Sequence, residues 1–86
     1  MADITDFDSA VAAVPTLTKD PGNDAKLTLY ALYKQGTEGD VSGKRPGMLD
    51  MVGRAKYDAW ARIKGTPQDD AKARYVELVS GLAAAE

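Results

Sequence analysis

Apolar residues recur at three- and four-residue intervals along most of this chain, and no segment alternates polar and apolar residues as a half-buried strand would. Ile4, Phe7, Val11 and Val14, with Ala10 beside them, fall on one face of a first helix that starts near Asp3 or Thr5. Asp6 and Asp8 suit the positive end of its dipole. Pro15 should stop or kink this helix, because proline lacks a backbone donor and disfavours helical geometry in the residue before it. Leu17 then tucks inward from a connection over 16–19.

Asp20-Pro21 reads as an N-cap followed by proline in the first turn of a second helix, which runs to about Gln35 or Gly39. Ala25, Leu29, Leu32 and Gly36 form its buried stripe, with Tyr33 on the edge. Leu27, Tyr30 and Lys34 lie on the opposite side, where an ordinary amphipathic helix would be plainly polar; that face needs a partner. Three glycines and Pro46-Gly47 make 36–49 a long loop, with Met48 and Leu49 expected to pin it to the core. Asp50 caps a third helix that extends to about Lys64, and Val52, Ala55, Ala59, Trp60 and Ile63 form its apolar arc. Lys56 projects within that arc, so it either snorkels outward or meets an anion. Gly65 ends the third helix. Thr66 caps a fourth with Pro67 at its first position, and Ala71, Tyr75, Leu78, Val79 and Leu82 are its inward stripe; residues 83–86 are expected to fray. The pattern is all-α: four helices in a single domain spanning 1–86.

Composition narrows what such a domain can do. With 86 residues, 44% of them hydrophobic and 28% charged, the chain suits a small globular unit with a modest core. It has neither cysteine nor histidine, which excludes disulfides, thiolate chemistry, histidine general bases and histidine metal sites. The serines have no histidine to activate them, and the paired carboxylates sit at helix starts where capping explains them. No catalytic constellation is visible. The acidic opening MADITDFD is unlike a secretory or transit peptide, and no hydrophobic run is long enough for stable membrane insertion, so the expected location is cytoplasmic.

The net charge of −2 conceals an asymmetry. Residues 34–64 hold seven cations against four acids, and the rest of the chain four against nine. Duplex nucleic acid would meet repulsion from the acidic remainder, whereas a compact anion reaching only the centre would not. The stretch 29–60 also carries three of the four tyrosines and the only tryptophan. Tyr30, Tyr33 and Lys34 are neighbours at i, i+3 and i+4, a combination that can stack on a nucleobase and bind phosphate; equally, Tyr33 can be core, Tyr30 rim and Lys34 solvated.

The order of residues through this stretch resembles the acyl-CoA-binding protein family. The segments that carry the likeness are YALYKQ (30–35), Gly39-Asp40, RPGMLD (45–50), GRAKYDAW (53–60) and Lys64-Gly65. It continues through Asp70-Ala71 to Tyr75-Val76 and back to Phe7, Val11, Val14 and Leu17, covering nearly the whole chain. The resemblance implies a four-helix bundle of up-down-down-up topology that binds medium- and long-chain acyl-CoA esters in a groove. It implies a monomeric carrier and pool buffer that makes transient contact with acyl-CoA-using enzymes and has no cofactor, acyl-CoA being the ligand. By the same likeness Tyr33 stacks on adenine, Lys34 and Lys56 meet the 3′-phosphate region, Tyr30 donates to phosphate, and Tyr75 lies near the ligand. Phe7, Val11 and Leu27 then lie by the acyl groove or in the helix contacts beside it. Two positions depart from the family pattern. Pro15 stands where a lysine is common, which removes one charge contact to the head group, and Tyr57 stands for a tryptophan. The alternative is a helical protein-interaction module of the same fold with weakened or lost acyl-CoA binding.

Overall fold

A computed structural model describes residues 4–86 and contains four α-helices among them: α1 (Phe7–Ala13), α2 (Asn23–Glu38), α3 (Met51–Arg62) and α4 (Gln68–Ala84), with a 3-10 turn at Val14–Thr16. They form the up-down-down-up bundle, and the long connection 39–50 lets α2 and α3 run in the same direction. α2 is the central element, packed on both α3 and α4, while α1 packs on α4. The Cα atoms span 39 × 26 × 15 Å, a slab thin enough that helix faces away from the central contacts stay open to solvent.

The core combines alanines with larger aliphatic and aromatic side chains. Ala10, Ala13, Leu29, Leu32, Ala71, Tyr75 and Val79 are buried together, with Ile4, Phe7, Val11, Val14, Ile63, Val76, Leu78 and Leu82 packed around them. The predicted stripes of the first, second and fourth helices therefore meet as expected. Alanines at Ala10 and Ala71 let helix axes approach closely. Gly36 does the same between α2 and α4: a Cβ there would come within 2.9 Å of Cγ of Lys72.

Several helix ends differ from the sequence expectation, each for a local reason. α1 begins after Asp6, which forms a reciprocal capping box with Ser9, so Thr5 lies outside the helix; Asp3 lies outside the described residues. Pro15 does not break the backbone at Val14, which stays helical at φ −54°, ψ −49°. Proline instead occupies the first turn of the 3-10 segment, where its missing donor costs nothing. Asp20 does not cap α2 directly: its carboxylate accepts from Gly22 N, and the helix starts one residue beyond. Thr66 does not cap α4 either, because Pro67 precedes the helix and Thr66 lends its carbonyl to Gln35. Asp50 caps α3 as expected, accepting from Gly53 N at 2.9 Å. Gly39 closes α2 at φ 85°, a left-handed conformation that favours glycine.

Two expectations about packing are overturned. Met48 and Leu49 do not anchor the loop to the core; they are 81% and 102% exposed. Polar contacts hold the loop instead: Arg45 forms a two-pronged pair with Asp58 at 2.9 and 2.7 Å, and the Tyr57 hydroxyl donates to the Gly43 carbonyl. The C-terminal residues do not fray away from the bundle. α4 continues to Ala84, and the Glu86 carboxylate accepts from the backbone amides of Thr18 and Lys19.

Candidate functional site

The site builds outward from the α2–α3 pair, because α2 turns an apolar and cationic face toward α3. Leu27 lines two adjoining cavities between these helices. One, of about 360 Å³, is bounded by Asn23, Lys26 and Leu27 on α2 and by Met51, Val52, Ala55 and Lys56 on α3. The other, of about 420 Å³, runs past Ala31, Leu32, Ala59 and Ile63 and carries Asp24 and Arg62 at its polar edge. The short side chains of Ala31, Ala55 and Ala59 leave this space between the helices unfilled. The first cavity is an apolar trough with lysines at its rim, a shape suited to an aliphatic chain attached to an anionic head.

Lys56 takes the outward option. Its side chain is exposed, and its Nζ lies 5.3 Å from the Tyr30 ring centre, so the two expected site residues meet across the helix pair. Lys34, one turn on from Tyr30, has its Nζ 5.1 Å over Trp60 and bonds the Glu38 carboxylate. The hydrogen bond to Glu38 holds the Lys34 ammonium above its ordinary pKa, against a smaller opposing effect of burial. The Lys34 ammonium is thus charged but already has a counterion.

Tyr33 points toward α1 and α4. Its ring stacks on Phe7 with centres 5.9 Å apart, and lies 6.3 Å from Tyr75, which meets Phe7 edge-on at 5.1 Å. Tyr33 stays 40% exposed, whereas Tyr75 is buried and its phenol is pushed up in pKa by that burial. Lys72 Nζ, 5.6 Å from the Phe7 ring centre, adds a cation beside this aromatic group. The structure therefore brings Leu27 and Lys56 together along the trough, places Tyr30 against Lys56 but not among the residues lining the cavities, sets Lys34 beside Trp60, and joins Tyr33 and Tyr75 in an aromatic cluster. Val11 packs against the core from α1 and is not among the residues lining the two α2–α3 cavities.

Sequence reasoning missed the buried hub beneath these side chains. Gln35 is 1% exposed; its amide donates to Asp40 at 2.9 Å and to the Thr66 carbonyl at 2.8 Å, and its oxygen accepts from the Trp60 indole at 3.1 Å. The indole also donates to the Gly39 carbonyl at 2.9 Å. Asp40 in turn accepts from Gly65 N, the largest reason its carboxylate is held below the usual range. One network therefore fixes the end of α2, the end of α3 and the start of α4. Gln35 lies three residues after Leu32 on the buried side of α2, the only hint in the sequence. Met51 and Val52 were legible as the start of α3 but not as trough residues.

Comparison with known proteins follows the same outline. A family profile described as "Acyl CoA binding protein" matches residues 5–79. The chain is 53% identical over 78 residues to acyl-CoA-binding protein homolog 1 of Caenorhabditis elegans, with 91% of each chain covered. It is also 51% identical over 77 residues to enoyl-CoA delta isomerase 2 of Rattus norvegicus, a match that takes in 90% of this chain but spans only 20% of that protein's length. Among solved structures, acyl-CoA-binding protein 2 of Oryza sativa superposes with a TM-score of 0.88 at 37% identity, covering 92% of this chain and 86% of the other.

Proposed function

Because this chain belongs to the acyl-CoA-binding protein family, we propose that it binds medium- and long-chain acyl-CoA esters and acts as a monomeric cytoplasmic carrier and buffer of them, without catalysis or a cofactor. The observation that carries this reading is the apolar trough between Leu27 and Ala55 with Lys56 and Tyr30 meeting at its edge. The acyl chain lies along the trough. Lys56 and Lys34 meet the phosphates, Tyr30 donates to one of them, and the half-exposed Tyr33 ring, held by Phe7 and Tyr75, receives the adenine. Tyr75 acts through Tyr33, and Val11 supports the aromatic cluster from α1.

The energetics suit sequestration. Each methylene taken from water contributes about 0.8 kcal/mol, so a palmitoyl chain supplies on the order of 10 kcal/mol before ordering costs. The head group adds orientation through charge-assisted hydrogen bonds. No bond is made or broken; the ester is shielded between helices and released intact.

Calorimetry of delipidated protein tests this directly. Palmitoyl-CoA is expected to bind far more tightly than CoA or free palmitate, and equally weak binding of all three overturns the reading. Lys56→Ala and Tyr33→Ala should each weaken palmitoyl-CoA binding by about tenfold or more while helical circular dichroism is kept. Affinity unchanged in both variants would remove these residues from the site.

A further inference from the structure

The aromatic cluster of α1, α2 and α4 has a cation at its side that no carboxylate neutralises. Lys72 is half-buried on α4, and its ammonium lies 5.6 Å from the centre of the Phe7 ring. Its stem passes over α2 at Gly36, where even a Cβ would come within 2.9 Å of Lys72 Cγ. The bare backbone there leaves room for the stem, and Phe7, stacked on Tyr33, offers the ammonium a ring face. Among the described residues Lys72 makes no ion pair. The acids near it in the chain or beside Phe7 are Asp69, Asp70 and Asp8; all three are exposed, and none pairs with it.

The two lysines already placed at the site face other elements. Lys34 is bound to Glu38 and lies over Trp60, and Lys56 meets Tyr30 across the α2–α3 pair. Lys72 instead approaches the Phe7–Tyr33–Tyr75 group from α4. Tyr33, 40% exposed, is the ring that receives adenine in the reading above. A nucleotide stacked there carries ionised phosphates on its ribose. A lysine whose stem is already packed loses little freedom on meeting one of them.

We propose that Lys72 is a further nucleotide-binding residue, its ammonium donating to a phosphate of the ligand whose adenine rests on Tyr33. This role rests on the acyl-CoA reading given above and adds to it a cation from α4. CoA carries phosphate at two places on its ribose: the 5′-diphosphate, which leads on to the acyl chain, and the 3′-phosphate, which ends a branch. The trough draws the first toward α3, so the 3′-phosphate is expected to be the one within reach of Lys72. Net charge does not carry the effect, because Asp69 and Asp70 open the same helix; one unpaired ammonium beside the stacking ring does.

Calorimetry of delipidated protein with palmitoyl-CoA and with its 3′-dephospho form tests the proposal. Lys72→Met keeps the stem and drops the charge; it should weaken palmitoyl-CoA binding by about three- to tenfold and make binding less sensitive to salt. Lys72→Arg should restore most of the affinity. Arg74→Met removes the same charge from an exposed position on α4 and should bind like the parent. A Lys72→Met loss seen with palmitoyl-CoA alone places the ammonium on the 3′-phosphate, and an equal loss on both ligands, restored by Lys72→Arg, places it on the diphosphate. A Lys72→Met variant that binds palmitoyl-CoA like the parent overturns the proposal. So does a loss that Arg74→Met matches, which would assign the effect to net charge, or one that Lys72→Arg leaves unrestored, which would make Lys72 a support for Phe7. A parent chain that binds neither ligand removes the acyl-CoA reading itself and the role of Lys72 with it.

Discussion

Lys34 and Trp60 show how much a single side chain's partners matter here. Lys34 is charged but its ammonium is engaged by Glu38, so a ligand phosphate must displace that carboxylate before it gains the full attraction of the lysine. Glu38→Gln removes the competitor without changing shape. Palmitoyl-CoA affinity is expected to rise about two- to fivefold, the range of partly exposed ion pairs, and calorimetry that finds it lowered would show that Glu38 positions Lys34 instead. Trp60 carries a different burden. Its indole is the partner of a buried Gln35 oxygen, so Trp60→Phe leaves that oxygen unsatisfied and frees the Gly39 carbonyl as well. A loss of about 1–3 kcal/mol in denaturant unfolding is expected; an unchanged midpoint would mean that the network does not hold the helix ends.

At the scale of elements, α2 is the common wall of two different spaces. Its Leu29–Leu32–Gly36 side closes the core against α4, and its Leu27–Tyr30 side opens the trough against α3. A Cβ at Gly36 would press on Lys72 of α4, and Gly36→Leu should push α4 away at a cost of about 1–3 kcal/mol, read as a lowered unfolding midpoint. A variant as stable as the parent would show that Lys72 swings aside. The connection 39–50 belongs to this scale too. Its composition marked it as a loop, and its polar clips to α3 explain how it is ordered while its apolar residues stay outside.

For the whole molecule, the acids that organise its ends set its response to pH. Hydrogen bonds from Ser9, Gly22, Gly65 and Lys19 amides and the Arg45 guanidinium hold Asp6, Asp20, Asp40, Glu86 and Asp58, respectively, below the usual carboxylate range. A carboxylate with a depressed folded pKa contributes stability above its unfolded value, and that contribution is lost as pH falls through the folded one. Thermal melts should therefore be level from about pH 7 to pH 5 and fall below about pH 4. A melting temperature that holds to about pH 2 would show that these exposed contacts are too well screened to matter.

The sequence by itself determined the four helices, the inward stripes of α1, α2 and α4, and the residue order that marks the family. Those are local properties, because helical periodicity and caps depend on neighbours within a few positions. It also placed Tyr30, Tyr33 and Lys34 on one helix, as their spacing requires. Only the tertiary structure decided what each of them faces: Lys56 for Tyr30, Phe7 and Tyr75 for Tyr33, Trp60 and Glu38 for Lys34. It likewise decided that Gln35 is a buried hub and that Met48 and Leu49 face outward. A side chain's type states what it can bind, but its partners come from elements distant in the chain, and burial is settled by whether those elements arrive.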